Sequence, residues 1–306
     1  MKIVFFGTAN VALPILEELN IDHKVLAVVT NPDAPVGRSR ALRESAVSAL
    51  AKDLQLVTLK PQKVRGNQEF LNQLSDLKAD IFVVVAYGSI LPPEIINLPP
   101  LKTINVHFSA LPKYRGPSPI QAALRNGDEQ TGSSIFILDE QVDHGPLLAQ
   151  KIVNIEPDDN YLTLSLRLAK VSAHLLLETL ADYQAGRITP LPQDEEGASY
   201  SKIINKSDGR IDWQKSAQEI YNQFRAFYPW PGIWTQWDGK KLKITDCLPA
   251  AVAGDNQPAT VLAGGLVACG HQTALQIRQL QLEGKTESPI TDFLNGYQNF
   301  INSRLV

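Results

Sequence analysis

The sequence predicts an open, mostly parallel α/β sheet of Rossmann-like type followed by a small β-barrel domain. Three observations carry that expectation. In the first half, short apolar runs alternate with stretches of helical spacing. One of those runs, IFVVVAY at 81–87, is apolar throughout, as strands covered on both faces tend to be. Beyond residue 210 the helical spacing largely gives way to strand-length pieces separated by turn residues.

The chain opens with KIVFF at 2–6, a β-rich run ending at Gly7, and then VALPILEELN, where Val11, Ile15, Leu16 and Leu19 fall on one helical stripe. Strand, tight turn and helix together begin a βαβ unit. VLAVVT at 25–30, TINVHF at 103–108 and SSIFIL at 133–138 give further strands. Helical patterns occupy 44–53, 67–77 and 117–126, and a long helix is expected over 161–184, stopped by Gly186. The stretch 188–210 is polar, carries Pro and Gly, and lacks periodicity, which suits a surface linker. A helix at 216–227 and five strand-like pieces, IWTQW, KLKIT, TVLAG, LVACG and ALQIRQL, complete the barrel.

With 306 residues and about 150 per domain, the length fits two domains. The expected boundaries are 1–189 for a catalytic domain, 190–205 for the linker and 206–306 for the barrel. Hydrophobic residues make up 44% and charged residues 20%, values of an ordinary globular chain. The net charge of −3 argues against a protein that grips nucleic acid with its whole surface, though a local basic stripe suffices for phosphates. Cys247 and Cys269 are read as free thiols of a reducing compartment. The apolar run near Met1 is too short for a signal peptide, and no run approaches the roughly 18 apolar residues of a membrane span, so a cytoplasmic location is expected.

The turn after the first strand lacks a dinucleotide fingerprint, because Gly7 is followed by Thr8, Ala9, Asn10 and Val11 rather than further glycines. The stronger candidate is TINVHF. Asn105 and His107 stand two apart, so their side chains leave one face of the strand near its C-terminal end, where ligands of open α/β sheets collect. An amide that donates to an oxyanion beside an imidazole that moves a proton suits acyl transfer. The following loop, SALPKYRGPSP, is more elaborate than a connection requires. DEQVDHGPLL at 139–148 adds Asp139, Glu140, Asp143 and His144. Metal binding through His107, His144 and Asp143 has no H-x-x-x-H or clustered-cysteine spacing behind it, and no metal is expected. No G-x-S-x-G elbow or partnered cysteine supports a covalent nucleophile.

INVHFSALPKYRGPSPIQ at 104–121 closely resembles the hallmark of folate-dependent formyltransferases, whose core reads N-x-H-x-S-x-L-P-K/R-Y-R-G. VVAYGSILP at 84–92 and the Asp143 loop are similar to the same family. Purine-pathway and sugar-nucleotide formyltransferases share those features, as do formyltetrahydrofolate hydrolases and dehydrogenases. MKIVFFGTANVALPILEEL, TNPDAPVGRSR, SDGRIDWQKSAQEIYNQFRAFYPWPGIWTQWDGKKLKI and GKTESPITDFLNG look instead like the methionyl-tRNA formyltransferases, so the resemblance runs from Met1 to about Leu294. It implies a catalytic trio of Asn105, His107 and Asp143, with Ser109, Ala110, Leu111 and Pro112 lining the folate site. The donor would be 10-formyltetrahydrofolate, the acceptor initiator methionyl-tRNA, and the protein a monomer. An OB-like barrel bearing Lys240, Lys241 and Lys243 would meet the tRNA, with Lys202, Lys206, Arg210 and the loop arginines Arg38, Arg40 and Arg43 extending the track. Two positions depart from the family pattern. Where it has D-T-G-D, this chain has Asp143, His144, Gly145 and Pro146, and a usual lysine run is replaced by SRALR.

Overall fold

The computed structural model describes residues 1–36, 41–252, 254 and 256–306. Arg38 and Arg40, assigned above to a phosphate track, lie outside the described residues. The chain forms two compact units. Residues 1–119, 130–154 and 165–202 make the first, and residues 120–129, 155–164 and 203–306 the second.

The elements follow in order as β1 (Lys2–Gly7), α1 (Leu13–Asp22), β2 (Lys24–Val29), β3 (Ala34–Val36), β4 (Ala41–Arg43), α2 (Ala46–Asp53), β5 (Thr58–Leu59), α3 (Gln68–Asp76), β6 (Ile81–Val85) and α4 (Pro93–Ile96). Next come β7 (Thr103–His107), α5 (Pro119–Asn126), β8 (Gln130–Ile137), β9 (Leu147–Asn154) and α6 (Tyr161–Gln184). The remainder comprises α7 (Ala217–Phe227), β10 (Ile233–Trp237), β11 (Lys240–Ala250), β12 (Leu266–Cys269), β13 (Thr273–Leu282), β14 (Ser288–Pro289) and α8 (Ile290–Gly296).

Seven strands of the first unit form one sheet in the order β5-β2-β1-β6-β7-β8-β9. β5 through β7 pair in parallel, while β8 runs antiparallel to β7 and β9 antiparallel to β8. The order reverses between β1 and β6, the switch point at which ligands of such sheets are accommodated beyond the strand ends. The buried runs IVFF and IFVVV meet there, with Phe6 and Phe82 ring centroids 5.4 Å apart and Tyr87 edge-on to Phe6 at 5.6 Å. Burying each such side chain contributes about 1.5–3 kcal/mol. Helix starts are fixed locally. Ser45 accepts from the Ser48 N–H at 3.0 Å at α2, and Asn67 from the Phe70 N–H at 3.1 Å at α3. β3 and β4 form a small separate ribbon. The antiparallel strand β9 has no counterpart among the sequence-predicted strands, because LLAQKIVN is half solvated and carries no continuous apolar run.

In the second unit, β10, β11, β13 and β12 form an antiparallel sheet that closes on itself. Beyond β12, Thr260 accepts from the Ala268 N–H and the Ala259 N–H donates to Ala268. The C-terminal residues then pair with that segment, Leu305 N–H donating to Ala259, and Gln236 of β10 exchanges two bonds with Val306. Hydrogen bonds therefore run around an unbroken ring, which removes the sheet edges. Inside it, Trp237 packs edge-on against Phe293 and Phe300 with centroids 5.7 and 5.1 Å away. A capping box between Ser216 and Glu219 starts α7.

Candidate active site

β7 is buried along its whole length, and its alternation presents Asn105 and His107 together, 9% and 6% exposed. Across from it, Asp143 sits in the loop between β8 and β9 with φ near +50°, the left-handed region that aspartate tolerates better than most residues. Gly145 is needed nearby, because a Cβ there would collide with the Ile137 carbonyl at the end of β8. The Asp143 carboxylate faces both β7 side chains. Its Oδ2 lies 3.6 Å from His107 Nδ1, and Asn105 Nδ2 points to Oδ1 at 3.5 Å. The Gly116 N–H donates to Oδ2 at 2.7 Å, tying the carboxylate to the loop after β7. His107 Nε2 lies 2.9 Å from the Tyr114 carbonyl, which can only accept, so Nε2 carries hydrogen. Asn105, His107 and Asp143 are thus brought together by the fold.

The loop after β7 is stapled at almost every turn. Ser109 is wholly buried, and its hydroxyl donates to the Lys113 carbonyl at 2.6 Å. Ser134 of β8 donates to the Ser109 carbonyl at 2.7 Å and accepts from the Leu111 N–H at 3.1 Å. Gln150 of β9 donates to the Leu111 carbonyl at 2.8 Å. Leu111 is buried, whereas Ala110 and Pro112 are half-buried. Ser109 and Leu111 therefore hold the loop, and Ala110 and Pro112 are the members of this quartet that keep accessible surface.

Part of the stretch expected as a linker, residues 190–202, belongs to the first unit and hydrogen-bonds this loop. Ser199 accepts from the Arg115 N–H through its carbonyl at 2.8 Å and from the Tyr114 N–H through its hydroxyl at 2.9 Å. Arg115, 1% exposed, donates to Gln193 and Glu195. Its bond to Glu195 raises the Arg115 pKa and holds the Glu195 carboxyl below its ordinary value. His144 is placed between Asp139, 2.6 Å from Nδ1, and Glu195, 3.3 Å from Nε2. Neither Gln193 nor Glu195 carries a local signal in the sequence, since each acquires its partners across 48 or more positions.

An amide, an imidazole and a carboxylate converge beyond the end of a strand, beside a loop made rigid by side-chain bonds. That arrangement has the chemistry of a group-transfer site, with an amide that can donate to an oxyanion and an imidazole that can move a proton. The formyl transferase family matches residues 1–180, and the formyl transferase C-terminal domain matches residues 203–298. The chain belongs to the formyl transferase family, and within it groups with the methionyl-tRNA formyltransferases. It is 44% identical to the methionyl-tRNA formyltransferase of Koribacter versatilis over 97% of this chain and 96% of that protein. The enzyme of Enterococcus faecalis is 40% identical over 96% of each chain. Among solved structures, an N-formyltransferase from Helicobacter canadensis aligns with TM-score 0.69 at 20% identity, covering 90% of this chain and 98% of that one. HypX from Aquifex aeolicus, solved in complex with tetrahydrofolic acid, aligns with TM-score 0.66 at 17% identity over 98% of this chain and 48% of that one. At such identities these two likenesses concern the fold. No helix among the described residues is long and apolar enough to cross a membrane.

Proposed function

We propose that this protein transfers the formyl group of 10-formyltetrahydrofolate to the α-amino group of initiator methionyl-tRNA, acting as a cytoplasmic monomer. The observation that carries this reading is the 44% identity, over nearly the full length, to a methionyl-tRNA formyltransferase, together with the convergence of Asn105, His107 and Asp143. An α-amino group has a reference pKa of about 7.7–8.0, so a useful fraction is neutral near pH 7 and can attack the formyl carbon. The new C–N bond places negative charge on the former carbonyl oxygen. An amide nitrogen carries two hydrogens, so the Asn105 contact with Asp143 uses one and leaves the other for that oxyanion. His107 has acceptors near both ring nitrogens, the Tyr114 carbonyl at 2.9 Å from Nε2 and the Asp143 carboxylate at 3.6 Å from Nδ1. Asp143 orients it. As the intermediate collapses, the bond from the formyl carbon to the folate nitrogen breaks. The amine loses a proton, and the folate nitrogen gains one through His107 or a water.

In this reading residues 1–189 supply the chemistry, with Ser109, Ala110, Leu111 and Pro112 shaping the folate site. Residues 206–306 help hold the tRNA. Supporting the second role, Lys240 and Lys243 of β11 are exposed, and Lys241 lies over the Trp234 ring, 4.0 Å from its centroid. Labelled formyl transfer from 10-formyltetrahydrofolate tests the assignment when charged initiator tRNA, an amino-sugar nucleotide and water compete as acceptors. Label is expected on the tRNA. Preferential labelling of the sugar, or release of formate without an amine, would refute it.

A further inference from the structure

Gln193 occupies a position that the catalytic trio does not explain. Its side-chain nitrogen donates to two backbone carbonyls of one loop, Asp143 at 3.0 Å and Gly145 at 2.8 Å. Its oxygen accepts from Arg115 twice, from Nε at 3.1 Å and Nη2 at 2.9 Å. A primary amide has two N–H donors and two acceptor lone pairs, so every hydrogen-bonding site of Gln193 is occupied. The orientation is also fixed. Rotating the amide by half a turn would set its oxygen against two carbonyls and its N–H groups against a guanidinium.

Arg115 is equally committed. Its remaining donors reach Glu195 Oε2 at 3.0 Å, Glu195 Oε1 at 2.7 Å and the Tyr200 hydroxyl at 3.4 Å. With the two bonds to Gln193 these account for the five N–H groups of a guanidinium. Arg115 is itself anchored in the main chain of the loop that carries Gly116, whose N–H holds the Asp143 carboxylate. Asp143 is therefore gripped from both ends of the same residue. Gly116 fixes its side chain, and Gln193 fixes its carbonyl and that of Gly145.

This grip bears on a tight turn, left-handed at Asp143 and with Gly145 close against the Ile137 carbonyl. Asp143 has a left-handed φ, a conformation that a non-glycine residue keeps only where its surroundings hold it. We infer that Gln193 is a positioning residue, which holds the Asp143 turn so that its carboxylate meets His107 and Asn105 together. The inference rests on the reading of Asp143 as part of the catalytic trio. Misplacing a reacting group by about 1 Å can cost on the order of 100-fold in rate.

The test uses the full chain with two substitutions at this position and one reference. Gln193→Glu keeps an acceptor for Arg115 but cannot donate to the Asp143 and Gly145 carbonyls. Gln193→Met removes both functions at similar length. Asp143→Asn reports whether the trio reading holds. The expected result is a kcat lowered about tenfold or more in both Gln193 variants, with folate KM little changed. Both variants should remain folded at the assay temperature, as read by circular dichroism. Parental kcat in both variants, beside a severe loss in Asp143→Asn, would overturn the role of Gln193 alone. A parental kcat in Asp143→Asn would overturn the trio and this inference with it. A rise in KM at constant kcat would identify a binding residue instead. Losses that merely follow a lowered melting temperature in both variants would identify a folding role, and each of these also overturns the proposal.

Discussion

His107 Nδ1 and Asp143 Oδ2 stand 3.6 Å apart, and the same carboxylate oxygen accepts a shorter 2.7 Å bond from the Gly116 N–H. The carboxylate is thus held by the main chain and offered to the imidazole, rather than being positioned by it. The side chains of the pair are 7% and 14% exposed, so solvent screens their interaction only in part. An imidazole held between this carboxylate and the Tyr114 carbonyl has its ring plane set before any substrate arrives.

Replacing His107 by Ala should leave that scaffold standing while removing the group proposed to move the proton. The expected outcome is a chemical step slower by about 10² to 10⁴-fold, with tRNA affinity little changed. Single-turnover formylation with tRNA already bound is the measurement. An unchanged rate would remove His107 from the mechanism.

Asn105→Ala should behave in parallel, at roughly 10² to 10³-fold, the size found when one oxyanion donor is deleted. Because Asn105 also faces Asp143 Oδ1 at 3.5 Å, part of the loss would come from a looser carboxylate. A double-mutant cycle with Asp143→Asn separates the two contributions. Strict additivity would mean that the 3.5 Å contact carries no coupling.

The placement of Asn105 beside His107 was legible in the sequence because a strand alternates faces every second residue, whereas Asp143 was one of several acids at 139–148 until the family resemblance singled it out. The parallel half of the sheet was legible for a similar reason, since strands buried on both faces are written as unbroken apolar runs. β9 was not, because an edge strand with the exposure pattern of LLAQKIVN carries too few apolar residues to stand out. TVLAG contributes only isolated bridges at Thr260 and Val261, so its strand character comes from its neighbours rather than its own composition. Gln193 was wholly hidden. It lies in a polar stretch without periodicity, and its chemistry arises from a partner 50 residues away in sequence.

His144 occupies the place where the family pattern has a small hydroxyl residue. The structure turns its two nitrogens toward Asp139 and Glu195, at 2.6 and 3.3 Å, with the side chain 32% exposed. Those partners are themselves solvated, so losing the imidazole leaves no buried charge behind. His144→Thr should change kcat by less than about tenfold, equivalent to about 1.4 kcal/mol. A loss as deep as that of His107→Ala would make His144 a participant in the chemistry.

Cys247 and Cys269 are free and buried. Burial pushes the Cys269 thiol up to about 12 and raises the Cys247 thiol as well. Since the thiolate is the reacting species, both should resist an aromatic disulfide reagent at pH 8 in the folded protein. Denaturation should release both together. Fast labelling of either thiol under native conditions would show that the barrel opens readily or that its packing differs from this structure.

The last prediction concerns the barrel and the phosphates of tRNA. Lys241 and Lys243 lie on the outer face of β11, opposite the buried Leu242, and pair across from Gln236 and Trp234 of β10. Each phosphate neutralised by a lysine releases counterions, so the logarithm of affinity falls with the logarithm of salt at a slope near 0.9 per contact for duplex nucleic acid. If this face grips tRNA, replacing Lys240, Lys241 and Lys243 by Ala together should raise the apparent KM for charged tRNA and flatten its salt dependence. The kcat should stay nearly parental, as when an interaction equal in ground and transition states is lost. The three lysines should not contribute equally. Lys241 lies over the Trp234 ring, and desolvation lowers its pKa, so it is less free to reach a phosphate than the exposed Lys240 and Lys243. Single substitutions at Lys240 and Lys243 should therefore each reduce the slope more than Lys241→Ala does. A triple variant with the parental salt slope would mean that tRNA is held elsewhere, and Arg43 of the first unit, also exposed, would be the next residue to replace.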